Sequence, residues 1–148
     1  MEINFKRVHT GRDLTISTIV LLTGAGLFLV NKGLGIFIVV CALLMFLLYK
    51  GGYRKNGQGV ILTKKCENLC KSCKQSVVEF LSGKDVIPCI KNGNEGGIVR
   101  LEVYYNQNEN IAYAQLYDFS NYKYETVTGI VELEGKKAHT LISKLQEL

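Results

Sequence analysis

The stretch "IAYAQLYDF" (Ile111–Phe119) decides the fold of the C-terminal part of the chain. Successive side chains of a β-strand point to opposite faces of the sheet. Ala112, Ala114 and Leu116 share one face, which is small enough for helices to pack closely. The other face receives larger, mostly aromatic side chains, namely Ile111, Tyr113, Tyr117 and Phe119. The pattern predicts a sheet that helices cover on one side only.

Two further strands are predicted beside this one, over 98–105 and 122–133, with hairpin loops at 106–110 and 120–121. A helix is predicted over 64–82 and another over 135–148, because their apolar residues recur at helical spacing. The only proline, Pro88, lies in a breaker region over 85–97. Residues 64–148 are therefore predicted to form an α+β domain of order α-βββ-α, an antiparallel sheet with helices on one face.

Two uncharged apolar runs precede this domain, over 14–30 and 33–49, with Lys32 between them. Each has 17 residues, which is the short end of the length of about 17–25 residues needed to span a bilayer. A cleaved signal peptide fits less well, because a second apolar run follows at once. We predict a cytosolic tail at 1–13, a transmembrane helical hairpin at 14–49 and a basic, glycine-rich juxtamembrane linker at 50–63.

Basic residues lie before the first apolar run and after the second one, whereas Lys32 is the only basic residue between the two runs. This asymmetry predicts a protein integral to the cytoplasmic (inner) membrane with both termini cytoplasmic. Residues 50–74 carry seven basic residues and one acidic residue, but residues 75–148 carry seven basic and ten acidic residues. The basic belt indicates lipid headgroups rather than nucleic acid as its partner. The candidate headgroup residues are Lys50, Arg54, Lys55, Lys64 and Lys65.

Three of the five cysteines lie in "KKCENLCKSC" (64–73), with the spacing C-x3-C-x2-C. The spacing resembles an iron–sulfur ligand set, and Cys66, Cys70, Cys73 and Cys89 are also candidate zinc or redox thiols. The competing interpretation is that three of them, Cys66, Cys70 and Cys73, are small buried residues on the apolar stripe of the predicted helix. The stripe favours that interpretation, and no metal or cofactor is predicted.

Six of the eight tyrosines lie between 104 and 124. Tyrosine is large, rigid and amphipathic, and it often anchors protein interfaces. Aromatic residues also simply suit strands and pair across them. The hypothesis of a partner-binding face rests on Tyr104, Tyr113, Tyr117, Tyr122 and Tyr124.

Motifs of catalysis are scarce in this sequence. It has two histidines, His9 and His139, and no nucleophile elbow, P-loop or zinc-protease motif. We predict a membrane-anchored, non-enzymatic binding or regulatory module of the accessory or immunity type, with a protein partner. The alternatives are a metal or redox protein that uses the cysteines and a domain that binds anionic lipid, and homo-oligomerisation stays open.

Overall fold

The computed structural model describes residues 4–93 and 99–148 of the chain. The chain divides into two compact units, Met1–Ile61 and Leu62–Leu148. Their described parts contain four α-helices and two antiparallel sheets, so the fold is α+β.

The first unit is a helical hairpin whose ends meet in a short ribbon. Its order is β1 (Phe5–Val8), α1 (Gly11–Phe28), α2 (Lys32–Leu48) and β2 (Gly52–Lys55). β1 and β2 pair antiparallel from Phe5↔Lys55 to Val8↔Gly52. The strand that enters the hairpin and the strand that leaves it therefore lie side by side and close its base.

Small residues form the contact between α1 and α2. A Cβ atom on Gly24 would lie 2.9 Å from the backbone nitrogen of Val39, and one on Gly35 would overlap the backbone of Phe28. Ala42 is also buried, whereas large apolar side chains elsewhere on both helices, such as Leu22 of α1 and Leu47 of α2, are exposed. The helices approach closely because these positions carry almost no side chain.

Asp13 ties the start of α1 to the start of the second ribbon strand. The Thr10 hydroxyl accepts a hydrogen bond from the Asp13 amide at 3.1 Å, and the Asp13 carboxylate accepts one from the Thr10 amide at 2.8 Å. The same carboxylate accepts a bond from the Gly51 amide at 2.9 Å. The backbone bond from Thr10 outweighs the opposing effect of burial, and with the bond from Gly51 it lowers the pKa of Asp13.

Replacing Asp13, the N3 residue of the capping box, by asparagine should lower the stability of α1 by about 0.5–1 kcal/mol at neutral pH, because it removes a negative charge from the N-terminus of the helix. The carboxylate stabilises fully above the ordinary aspartate pKa of about 3.9, and this is lost as the pH falls through the lower folded value. The difference between D13N and the wild type should therefore shrink below about pH 4. Hydrogen exchange of α1 peptides measures it, with exposed Asp85→Asn as the control; an equal effect of both variants would contradict the role of Asp13.

The prediction of a transmembrane hairpin over 14–49 is wrong. Within residues 4–93 and 99–148, no helix combines the length and the apolar composition needed to cross a membrane. The first turn of α1 contains Arg12 and Asp13, and α2 has 17 residues. At about 1.5 Å per residue, 17 residues reach roughly 26 Å, less than a hydrocarbon core of about 30 Å. The predicted location in the cytoplasmic membrane, with both termini cytoplasmic, is overturned with it.

The described residues of the second unit form a five-stranded sheet and two α-helices. A single 3₁₀ turn, Lys71–Cys73, leads directly into the first of these helices. In chain order the elements are β3 (Thr63–Leu69), α3 (Lys74–Leu81), β4 (Val99–Asn106), β5 (Ile111–Ser120), β6 (Lys123–Thr126), β7 (Val131–Glu134) and α4 (Gly135–Gln146).

β5 is the central strand of this sheet. β4 pairs with β5 along one edge, from Val99↔Asp118 to Asn106↔Ile111, and β3 pairs with the far edge of β4. The other edge of β5 is shared, because β7 pairs with its first half and β6 with its second half. All of these pairings are antiparallel, as predicted.

The helices α3 and α4 pack on the face of β5 that carries the alanines, as predicted. Ala112, Ala114 and Leu116 are fully buried in one core. From the 3₁₀ turn and the two helices, the core receives Cys73, Val77, Phe80, Leu81, Ala138, Leu141, Ile142 and Leu145. Small residues on the strand leave the room that these larger helix residues fill, which is how close packing is usually achieved.

The helix predicted over 64–82 is wrong in its first half. Thr63–Leu69 forms β3, because seven consecutive residues pair with β4 from Thr63↔Tyr105 to Leu69↔Val99. Only Lys74–Leu81 is α-helical, and it keeps the second half of the predicted stripe. The domain order is therefore β-α-ββββ-α instead of α-βββ-α. Of the predicted breaker region 85–97 and the predicted strand 98–105, residues 94–98 lie outside the described part of the chain.

Candidate functional site

The face of the sheet opposite α3 and α4 is the candidate site, and we call it the outer face. Residues that pair across β3, β4 and β5 place their side chains there in rows, such as Lys64–Tyr104–Tyr113 and Asn68–Arg100–Tyr117. The outer face consists of Lys64, Cys66, Asn68, Arg100, Glu102, Tyr104, Tyr113, Gln115, Tyr117, Phe119 and Tyr124. It combines aromatic rings with charged groups of both signs.

Glu102 is the centre of an ion-pair network on this face. Its carboxylate lies 3.0 Å from the Lys64 Nζ and 2.8 Å from an Arg100 nitrogen. The Lys64 ammonium also lies 5.1 Å from the centroid of the Tyr104 ring. Burial alone would lower the pKa of Lys64, but hydrogen bonds to Tyr104 and Glu102 outweigh it and raise the pKa. The side chains of Lys64, Arg100 and Glu102 thus hold one another in place on the outer face.

The aromatic residues collect at the β5–β6 end of the outer face. The rings of Phe119 and Tyr124 meet edge to face, with centroids 5.2 Å apart, a preferred geometry for aromatic pairs. The Arg100 guanidinium lies 5.4 Å from the centre of the Tyr124 ring. Tyr117 donates a hydrogen bond to Gln115 at 2.7 Å, and burial together with nearby Glu102 raises its pKa. These contacts fix the positions of the rings within the chain.

Tyr122 lies at the tip of the hairpin between β5 and β6. Asn121 and Tyr122 form the two-residue turn, with φ of 50° and 60°. Glycine is strongly preferred at the second position of such a turn, because a Cβ there is crowded. Tyr122 is nevertheless present, and 97% of it is exposed. Tyr122 thus has a backbone conformation that disfavours its side chain, and its ring makes few contacts within the chain.

The five predicted tyrosines do not share one environment. Tyr113 is fully buried, and its hydroxyl donates to Glu132 at 2.5 Å. Tyr104 and Tyr117 are half-buried, whereas Tyr122 and Tyr124 are exposed. Exposed rings therefore remain at Phe119, Tyr122 and Tyr124, beside the half-buried Tyr117, and we call these four residues the hairpin patch.

Phe119 and Arg100 are members of the site that the sequence reasoning did not select. Phe119 is 46% exposed, and its position on the aromatic side of β5 could have identified it. Arg100 could not be identified from the sequence, because its position over the Tyr124 ring depends on pairing across three strands, Arg100↔Tyr117 and Tyr117↔Thr126. A local pattern carries no signal for such a contact.

The cysteines are divided between two sides of the sheet. Cys66 is exposed on the outer face, 3.7 Å from an Arg100 nitrogen. Cys73 is buried in the core with its sulfur 2.9 Å from that of Cys89, and Cys70 donates to the Asn92 carbonyl at 3.0 Å. In the described part of the chain, no three His, Cys, Asp or Glu side chains are grouped so that they could hold a metal ion.

The five basic residues proposed for headgroups are divided between the two units. Lys50, Arg54 and Lys55 belong to the first unit, and Lys64 and Lys65 belong to the second. Lys64 pairs with Glu102, as described above. Lys65 lies on the opposite side of the strand, where it pairs with Glu67 at 3.0 Å and donates to the Leu145 carbonyl of α4. Alternation along β3 separates residues that are adjacent in sequence.

Comparison of the chain with protein-family models, with curated proteins and with solved structures gave no match.

Changing Tyr122 to glycine should raise the stability of the second unit by about 0.5–1 kcal/mol, because glycine adopts φ near 60° without crowding. Urea-dependent hydrogen exchange of β4 and β5 peptides in the full chain measures the change. Lys123→Gly, one residue further on in β6, is the matched control and should destabilise instead, since its backbone is extended. A destabilised Y122G would show that the ring makes stabilising contacts within the chain.

Proposed function

We propose that residues 62–148 form a non-enzymatic binding module that docks the hairpin patch into an apolar cleft of a protein partner. The observation that carries the proposal is Tyr122, which is 97% exposed in a conformation that disfavours its side chain. Backbone strain concentrates at functional positions. Because the Tyr122 ring makes few contacts within the chain, it is available to contact a partner.

The neighbouring rings support an interface rather than an isolated exposed residue. Phe119 and Tyr124 contact each other, and Arg100 lies against Tyr124. Tyrosine and arginine are enriched among the residues that dominate binding energy. Because these side chains are already ordered, docking would cost less conformational entropy than ordering free side chains.

The charges of the unit favour a protein partner over nucleic acid. Residues 62–148 carry eleven basic and eleven acidic residues, so the unit has no net charge. The basic groups of the outer face, Lys64 and Arg100, are both engaged with Glu102. A surface that binds a phosphate backbone needs an excess of free basic groups.

The same pairing supports binding rather than catalysis. A general acid or base needs a proton-transfer group available to substrate. On the outer face, Glu102 is held by two cations and Tyr113 donates to Glu132. These groups act as structural supports for the aromatic end of the face.

Site-specific photocrosslinking in the full chain tests the proposal. A photoreactive phenylalanine analogue at position 122 should give a protein adduct, and the same analogue at position 87 should not. Ile87 is the control because it is 72% exposed and lies in the loop after α3, which is not part of the β5–β6 hairpin. Replacing Phe119 and Tyr124 by serine should abolish the adduct at 122.

Affinity for the crosslinked partner then separates binding from folding. Y122G should bind at least about ten-fold more weakly, as expected when an interface anchor is lost, while it folds more stably. Ile87→Gly should leave the affinity unchanged. Unchanged binding by Y122G, equal crosslinking from 87, or adducts with nucleic acid alone would each refute the proposed interface.

A further inference from the structure

The thiols of Cys73 and Cys89 lie close enough to be oxidised to a disulfide. Their sulfur atoms are 2.9 Å apart, and both cysteines are free. A disulfide bond is about 2.05 Å long, so the two sulfurs need to approach by about 0.9 Å. The remaining movement is smaller than a bond length.

Each of the two cysteines is held in position by its own segment of the chain. Cys73 ends the 3₁₀ turn and directly precedes the first residue of α3. Ser76 of α3 holds the opposing loop, because its hydroxyl accepts from the Cys89 amide at 3.0 Å and donates to the Ile87 carbonyl at 3.2 Å. Pro88, between the two anchored residues, is fully buried. The approach of the two sulfurs is thus built into the packing of the loop on α3.

Further along, residues 91–93 of this loop are hydrogen-bonded to the chain at the end of β3. The Cys70 amide donates to the Lys91 carbonyl at 3.0 Å, and the Gly93 amide donates to the Asn68 carbonyl at 3.0 Å. The Cys70 thiol is engaged separately, since it donates to the Asn92 carbonyl. The nearest thiol partner of Cys73 is therefore Cys89, although Cys70 and Cys73 form the CxxC of the sequence.

The two thiols differ in access to solvent. Cys73 is fully buried, whereas Cys89 is only partly buried. Burial, followed by the hydrogen bond with Cys89, raises the pKa of Cys73. Because the attacking thiol must be ionised and must reach the disulfide, the fully buried Cys73 is the poorer first nucleophile, and the more accessible Cys89 is the better one.

We propose that Cys73 and Cys89 form a thiol-oxidation site that exchanges with small disulfides such as glutathione disulfide. The Cys89 thiolate attacks one sulfur of glutathione disulfide and displaces one glutathione thiolate. Cys73 then gives up its proton and attacks the Cys89 sulfur, which releases the second glutathione. Two protein thiols are oxidised, one glutathione disulfide is reduced to two glutathione molecules, and the two protein protons pass to the leaving thiolates.

The product would join the start of α3 covalently to the loop that follows it. The cysteines are 16 residues apart, and closing a loop of that size restricts the unfolded chain. The loop and α3 already contact each other in the reduced protein, so the native geometry changes little. The oxidised form should therefore be the more stable one.

Peptide mapping of the full chain tests the pairing directly. After incubation with glutathione disulfide and alkylation of the remaining thiols, trypsin cleavage at Lys71, Lys74, Lys84 and Lys91 separates peptides 72–74 and 85–91. These two peptides, which contain Cys73 and Cys89, should be found linked. The Tm of the second unit should rise by about 5 °C or more, and a reductant should reverse the rise.

Single variants test the order of the two steps. Cys73→Ser should retain glutathione on Cys89, because the second attack is lost, and Cys73→Ala repeats the test if the serine is not tolerated in the core. Cys89→Ser should leave Cys73 unmodified. Cys66→Ser is the control on the other face and should give the same linked peptides as the wild type. A link from peptide 66–71 to either partner, or stable glutathione on Cys89 of the wild type, would overturn the proposal.

Discussion

The alternation of small and large side chains along β5 is the constraint on which the second unit depends. β5 pairs with β4 along one edge and with β6 and β7 along the other. Ala112 and Ala114 leave space on one face, and the helices occupy it with Leu141, Ile142 and Leu145. Because side chains alternate strictly, the same strand must place its aromatic residues away from the helices. The core and the candidate interface are thus two results of one pattern.

The sequence predicts elements well where one periodicity is unambiguous. The alternation in β4 and β5 and the helical stripe of α4 are each long enough to exclude the other type of structure. Cys66, Leu69 and Cys70 match a helix by spacing alone, yet Lys64, Cys66 and Asn68 equally match one face of a strand. Pairing with β4 decided between these patterns, and that pairing joins residues about 30–40 positions apart. The transmembrane assignment of the hairpin was wrong for a different reason, since counting uncharged residues did not show that α1 begins at Gly11, with Arg12 and Asp13 in its first turn.

The sequence could predict which side chains share the outer face, but not how deeply each of them is buried. Parity places Tyr113 and Tyr117 on the same side of β5, but it cannot tell that Tyr113 is completely buried while Phe119 is exposed. Burial depends on neighbours from β4, β6 and β7, which only the tertiary register specifies. The cysteines show the same limit. Their spacing grouped Cys66 with Cys73, whereas the sheet separates them and brings Cys73 to Cys89 from outside the motif.

The hairpin tip shows where the sequence and its own backbone disagree. Natural sequences usually agree with their fold at every level, and exceptions tend to mark function. Asn121 suits a positive φ, but Tyr122 does not, and its ring is almost fully exposed. The strain is tolerated because the ladder from Tyr117↔Thr126 to Ser120↔Lys123 and the Phe119–Tyr124 ring contact hold the hairpin closed. Selection for stability alone would favour glycine here, so stability of the hairpin does not account for the tyrosine, and this is the reason the proposed interface is centred on it.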